Sequence, residues 1–123
     1  MRLADILLMK AEALVELNQV SDAIVIVNRI RERAGFGPSS LDVNMSQADA
    51  RLAVENERQL ELYMEAQRWY DLLRNDRMLD VMRKHKDEKG QYIFSDLQSF
   101  REKWPVPQEE IDKNNNLTQN EGY

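Results

Sequence analysis

Apolar residues recur at helical intervals through the first two-thirds of the chain. Leu3, Ile6, Leu7, Ala11, Leu14 and Leu17 fall three and four residues apart, which predicts a helix over 3–17 with one apolar stripe. Asp5, Lys10, Glu12 and Glu16 lie off that stripe. Asn18-Gln19-Val20 reads as a short turn, and Ser21 suits an N-cap with Asp22 in the first turn behind it. A second helix then runs from Asp22 to about Ala34. Arg29, Arg31 and Arg33 crowd its last turns, where cations complement the helix dipole, and Gly35 suits its C-terminal end. The β-branched run Ile24-Val25-Ile26-Val27 has strand propensity, but helix-end signals on both sides and the period continuing from Asn28 to Ala34 decide for a helix. So short a connection implies an antiparallel hairpin, with Ala11 and Ala23 where the two helices cross most closely.

Phe36 to Met45 is a loop built on turn formers, and Ser46 with Asp49 reads as a capping box in which Asp replaces the usual Glu. A long helical region follows from Gln47 to about Arg74, with Leu52, Val54, Leu62, Tyr63, Ala66, Trp69, Tyr70 and Leu73 as its apolar set. The pattern is compatible with a bend between Met64 and Gln67. Arg77 to Lys84 is a further short helix with Met78, Leu79 and Met82 on one side, and Lys86 to Gly90 a solvated turn. Beyond it, Tyr92-Ile93-Phe94 reads as extended and Ser95 as the cap of a brief helix holding Leu97 and Phe100. Trp104-Pro105-Val106-Pro107 must be extended, because each proline disfavours helix in the residue before it. Gln108 to Lys113 makes one helical turn. The polar end from Asn114 has the composition of a disordered tail, but Val106, Ile111, Leu117 and Tyr123 are spaced as anchors that would lay it back on the helices. The expectation is an all-α fold in a single domain over 1–123: a helical hairpin at 1–34, further helices at 47–84 and an irregular tail at 90–123 packed on the helices.

Composition narrows the possible functions. A chain of 123 residues is one domain as a prior. The 17 basic and 22 acidic residues leave a net charge of -5, without the basic excess of a nucleic-acid binder. Cysteine is absent, which removes disulfides, zinc-thiolate sites and thiol nucleophiles together. The longest apolar run, Ala23 to Val27, falls far short of the roughly 20 residues a bilayer requires. Met1 leads directly into an amphipathic pattern with no signal peptide, so the chain is expected to be a fragment that starts inside a structural element.

The richest cluster of chemistry is Glu55, Glu57, Arg58, Glu61, Glu65, Arg68, Asp71 and Arg74. Carboxylates at 57, 61 and 65 recur every fourth residue, and a carboxylate metal site in a helical bundle would need histidine at Glu-x-x-His spacing. The only histidine, His85, lies outside this segment among Arg83, Lys84 and Lys86, and reads as a surface residue. The cluster is therefore expected to be a structural ion-pair network of Glu57, Arg58, Glu61, Glu65, Arg68 and Asp71, with Arg58 and Arg68 relieving repulsion between the glutamates. No metal, cofactor or catalytic group is expected: there is no Ser-His-Asp pattern, and the four glycines at 35, 37, 90 and 122 make no phosphate loop. Among the nine aromatics, Trp69, Tyr70, Tyr92, Trp104 and Tyr123 have rings that suit the C–H face of a sugar. Trp69 and Trp104 are the weak glycan-binding candidates, set against the commoner role of aromatics in packing.

Two resemblances emerge from these motifs. The hairpin length of 34 residues, with small residues near the eighth and twentieth positions, resembles a tetratricopeptide (TPR) unit, although its usual aromatic and terminal proline are missing. More specifically, the stretch Leu3–Ala13 (LADILLMKAEA), then Glu57–Arg74 (ERQLELYMEAQRWYDLLR), then Pro105–Asp112 (PVPQEEID) and the ending Leu117–Tyr123 (LTQNEGY) resemble, in order and spacing, the C-terminal region of the SusD/RagB family. That resemblance implies a TPR-like helical scaffold belonging to an outer-membrane lipoprotein of Bacteroidetes, which binds glycans at the cell surface without catalysis and works with a TonB-dependent, SusC-like transporter. It also implies that a much longer protein carries the signal sequence, the lipidated cysteine and most glycan-contacting loops. This chain departs from the family in having Ala66 where glycine is usual, which predicts helical backbone there. It also has Asn114-Asn115 where Asn-Pro is common and Glu121 where proline is common, which predicts a looser tail. The alternative reading is a generic TPR-like module for protein–protein interaction. In either case an incomplete scaffold should self-associate through the 3–17 helix.

Overall fold

The computed structural model describes residues 2–123; Met1, counted in the expected hairpin, lies outside them. The described residues form six α-helices and one 3₁₀ turn, with no strand beyond an isolated antiparallel bridge between Lys86 and Tyr92. The fold is all-α. It divides into two compact units, one ending at Arg68 and the other Trp69–Tyr123.

In the first unit, α1 (Leu3–Glu16) and α2 (Val20–Arg33) form the antiparallel hairpin and α3 (Gln47–Glu61) packs on both. Asn18 closes α1 in left-handed backbone, φ 59°: its N–H donates to Val15 O at 3.0 Å and that of Gln19 to Leu14 O at 2.8 Å. Gly35 ends α2 in the same way with φ 96°, the Gly35 and Phe36 amides donating to Glu32 O and Arg31 O. The expected N-cap of α2 is corrected. The helix begins at Val20, Gln19 occupies the cap without a side-chain bond, and Ser21 is already inside the first turn. The tight exit from α1 leaves no room for a further cap residue.

The core joins Leu8, Ala11 and Val15 of α1 to Ala23, Ile24, Val27 and Ile30 of α2 and to Ala50 and Val54 of α3. Burying a side chain such as Leu8 or Ile24 contributes roughly 1.5–3 kcal/mol. The buried stripe of α1 is Ala4, Leu8, Ala11 and Val15, while the expected Leu3, Ile6 and Leu17 are exposed. Both faces of α1 are apolar, so periodicity cannot choose between them. Ala4 and Ala11, which let neighbouring helices approach closely, face inward.

Ser46 caps α3. Its Oγ accepts from the Asp49 N–H at 3.1 Å and its hydroxyl donates to Asp49 Oδ2 at 2.6 Å. The helix stops at Glu61, because Met64 (φ 66°) and Ala66 (φ 57°) both take left-handed backbone. Ala66 is therefore left-handed despite its Cβ, and the helical backbone expected there is corrected. This break changes the phase of the apolar pattern: Leu62 and Leu72 are buried, whereas Tyr63 and Tyr70 are exposed; Leu52, before the break, also faces solvent, because α3 turns Ala50 and Val54 inward.

In the second unit, α4 (Arg68–Arg74) closes at Asp76, φ 54°, and α5 (Met78–Arg83) follows. Asp87 Oδ1 then accepts from the amides of Lys89 and Gln91 to shape the turn before Tyr92. The brief helix expected behind Ser95 is instead a 3₁₀ turn, Ser99–Glu102, preceded by Gln98 without a side-chain cap. After α6 (Gln108–Lys113), the terminal residues return to the 103–106 segment. Gln119 clamps Val106, accepting from its N–H at 2.8 Å and donating to its carbonyl at 2.9 Å. Asn120 Nδ2 donates to Trp104 O at 2.6 Å and Tyr123 Oη to Lys103 O at 2.8 Å. The Tyr123 ring stands edge-on to Phe100, with centroids 4.9 Å apart.

Candidate functional site: an interhelical ion-pair network and two tryptophans

The charged cluster straddles the end of α3, and all but one of the pairs described here, Arg74–Asp71 within α4, run between elements. Arg31 of α2 donates to Glu57 Oε2 at 2.9 Å and to Ser40 Oγ at 2.7 Å, with its guanidinium 4.5 Å from the Phe36 ring centroid. Glu61, nearly buried, is met by Arg2 Nη1 at 2.8 Å and Arg33 Nη2 at 2.5 Å, and Arg2 Nε also reaches Glu65 at 2.7 Å. The two glutamates raise the pKa of Arg2 further above its ordinary value, Glu65 most. In the opposite sense, α3 lends its own arginines to α1. Arg58 donates to Asp5 Oδ1 at 3.2 Å, and Arg51 grips Glu16 at 2.6 and 2.8 Å in a bidentate pair that lowers the Glu16 pKa. Arg68 pairs with buried Glu55 at 2.8 Å, and Arg74 with buried Asp71 at 2.8 Å.

Of the expected network, the structure brings Glu61 and Glu65 to one shared cation, Arg2. Because the helix breaks at Leu62, Glu65 does not continue the every-fourth-residue ladder from Glu57 and Glu61. The partners that sequence reasoning missed are Arg2, Asp5, Arg31, Arg33 and Arg51. Arg31 and Arg33 had an ordinary explanation as cations at a helix C-terminus, and Asp5 lay off the apolar stripe. Their true partners depend on tertiary register.

Chemically, this arrangement ties carboxylate lone pairs to guanidinium donors and fastens three helices. Among the described residues no group of three His, Cys, Asp or Glu side chains is placed to hold a metal ion. His85 is exposed, its ring 6.4 Å from that of Phe94.

The two tryptophans have different settings. Trp69 is half-buried in α4, its indole Nε1 enclosed without a hydrogen-bond partner among the described residues. Trp104 lies on the extended proline segment with 76% of its surface exposed. Only Trp104 offers an open ring face to solvent.

Sequence comparison adds ancestry to this geometry. The profile of the SusD family matches residues 1–123. The chain belongs to the SusD/RagB family. Two SusD-like proteins of Formosa agariphila are similar: one is 40% identical over 88 residues, covering 66% of this chain and 17% of the relative, and the other is 34% identical over 131 aligned positions, covering 99% and 24%. The starch-binding protein SusD of Bacteroides thetaiotaomicron is 32% identical over 123 residues, covering 99% of this chain and 21% of that protein. This SusD/RagB chain thus spans about a fifth of the length of these relatives. No solved structure matches it at the same stringency. Among the described residues no helix is long and apolar enough to cross a membrane.

Proposed function

We propose that this chain is the helical support of a non-catalytic protein that binds glycans for nutrient uptake at the outer membrane, at the cell surface, beside a TonB-dependent, SusC-like transporter. The observation that carries the reading is the SusD family match over residues 1–123. The ion pairs support the same role: arginines of one helix are spent on acids of the next, which fixes a scaffold and leaves few polar groups converging on a ligand. The starch-binding relative makes a polysaccharide the reasonable ligand class for the whole protein. The sugar would be held chiefly by other parts of such a protein, with Trp104 and Trp69 supplying at most a weak stacking surface.

Isothermal titration of the chain with starch-derived oligosaccharides tests this. The expected result is no saturable heat in the micromolar range. A micromolar dissociation constant that is lost in Trp104→Ala would move the glycan site into this segment, and turnover of the glycan would refute the absence of catalysis.

A further inference from the structure

Helix α1 carries a second apolar stripe opposite its buried one. Leu3, Ile6, Met9 and Leu17 are 68%, 48%, 41% and 70% exposed, whereas helices apolar on all sides are ordinarily enclosed. Beside it, α2 shows solvent a stripe with opposite charges at its two ends. Exposed Asp22 and Arg29 share that face, at four- and three-residue spacing, with Ile26, which is half-buried against the core. Asp22 and Arg29 make no ion pair or hydrogen bond through their side chains among the described residues. Near the Arg29 end the two helices border an open cleft of about 580 Å³, with Leu3, Ala4 and Leu7 on one side and Arg29, Glu32 and Arg33 on the other.

Because α1 and α2 are antiparallel and joined by three residues, Lys10 and Ile26 stand at the same height, midway along the hairpin. Midway between Asp22 and Arg29 lies the same level. A two-fold axis through that level would superpose the acidic end of one hairpin on the basic end of another. It would also lay the Leu3–Leu7 end of α1 over the Leu14–Leu17 end of its mate. Parallel stacking would set like charges together. We propose that this face is a self-complementary docking surface for a second copy of the chain, with reciprocal Asp22–Arg29 pairs flanking the axis and Leu3 and Ile6 of one copy against the Leu17 end of the other at its two ends. The inference is independent of the glycan-uptake reading.

The proposed interface is small. Helix α1 is about 21 Å long, and one helix pair buries less than the roughly 1,200 Å² of a stable complex. Association is therefore weak and concentration-dependent. Lys10 would lie near the axis and meet its own copy, so it opposes the dimer.

Sedimentation velocity on the 123-residue chain, across micromolar to millimolar concentrations, tests the proposal. A monomer–dimer equilibrium is expected. The variant Ile6→Glu with Leu17→Glu should be monomeric with unchanged helical circular dichroism, and Lys10→Leu should tighten the dimer several-fold. Asp22→Arg and Arg29→Asp should each weaken self-association, and mixing the two variants should restore a heterodimer. Two results would overturn the proposal: a chain that stays monomeric throughout, which would leave this face to a helix of a longer polypeptide, or a dimer indifferent to these substitutions.

Discussion

The two units of this chain are ordered by different means. In the first, three helices enclose a continuous aliphatic core and are stitched at its margin by arginine–carboxylate pairs. The second buries Asp71, Leu72 and Met78 but no residue after them, and its last twenty residues are shaped by side chains bonding to backbone. Apolar burial is non-directional and shared among many residues, whereas a clamp such as Gln119 on Val106 depends on one side chain at one register. The first unit should therefore lose stability in proportion to what is removed from its interior. The second should come loose at single points.

The largest expected effect is in the first unit. Arg58→Ala would leave Asp5 and its own site inside the helices without a counter-charge; losing one partner of a buried pair costs about 3–5 kcal/mol. Chemical denaturation should show that loss with little change in the slope. A cost under about 1 kcal/mol would mean the pair lies effectively in water.

Next comes Gly122→Ala. Gly122 has φ 95°, and a Cβ there would stand 2.6 Å from Phe100 Cδ1. Strain of this kind costs of order 1–3 kcal/mol. It should appear as faster hydrogen exchange at Val106, where the Gln119 clamp is lost, with the α1–α3 amides unchanged.

Ala66→Gly should have the opposite sign. Left-handed backbone costs an L-residue roughly 1–2 kcal/mol that glycine does not bear, so net stabilisation of about 1 kcal/mol is expected by thermal melting. A destabilised variant would show that the Ala66 methyl makes a contact worth more than the strain.

The smallest effect is electrostatic. Arg51 holds Glu16, and Lys84 holds Asp80, below their ordinary values of 4.5 and 3.8. Unfolding releases both carboxylates to those values, so the unfolded chain binds more protons across this range and stability falls as pH drops. The contribution is complete above about pH 5 and lost once pH falls through the lowered folded values. Both pairs are exposed, so salt should shrink it; Glu16→Gln should flatten the acid limb slightly.

Much of the first unit was legible because helical period, the Ser46–Asp49 cap and Gly35 are local signals. The register of α1 was not, since Leu3 and Leu8 are equally apolar and only the neighbours decide which turns inward. The break after Glu61 was hidden because Met64 and Ala66 are ordinary helix formers. They take left-handed backbone at a cost that tertiary structure must repay. In the cluster, Glu57, Arg58 and Glu61 were visible as charged residues. That Arg2 and Arg31 would meet them depends on segments 26 or more residues apart in sequence. The Gln119–Val106 clamp has no periodic signature at all.

Native-state hydrogen exchange on the whole chain tests the contrast between the units most directly. The account predicts that core amides of α1, α2 and α3 exchange only through opening of the whole first unit and lose protection together in Arg58→Ala. It predicts that Val106 and the residues of the 114–123 tail open at distinctly lower free energy and do not respond to that substitution. Equal protection in both units, falling together when Arg58 is removed, would contradict it.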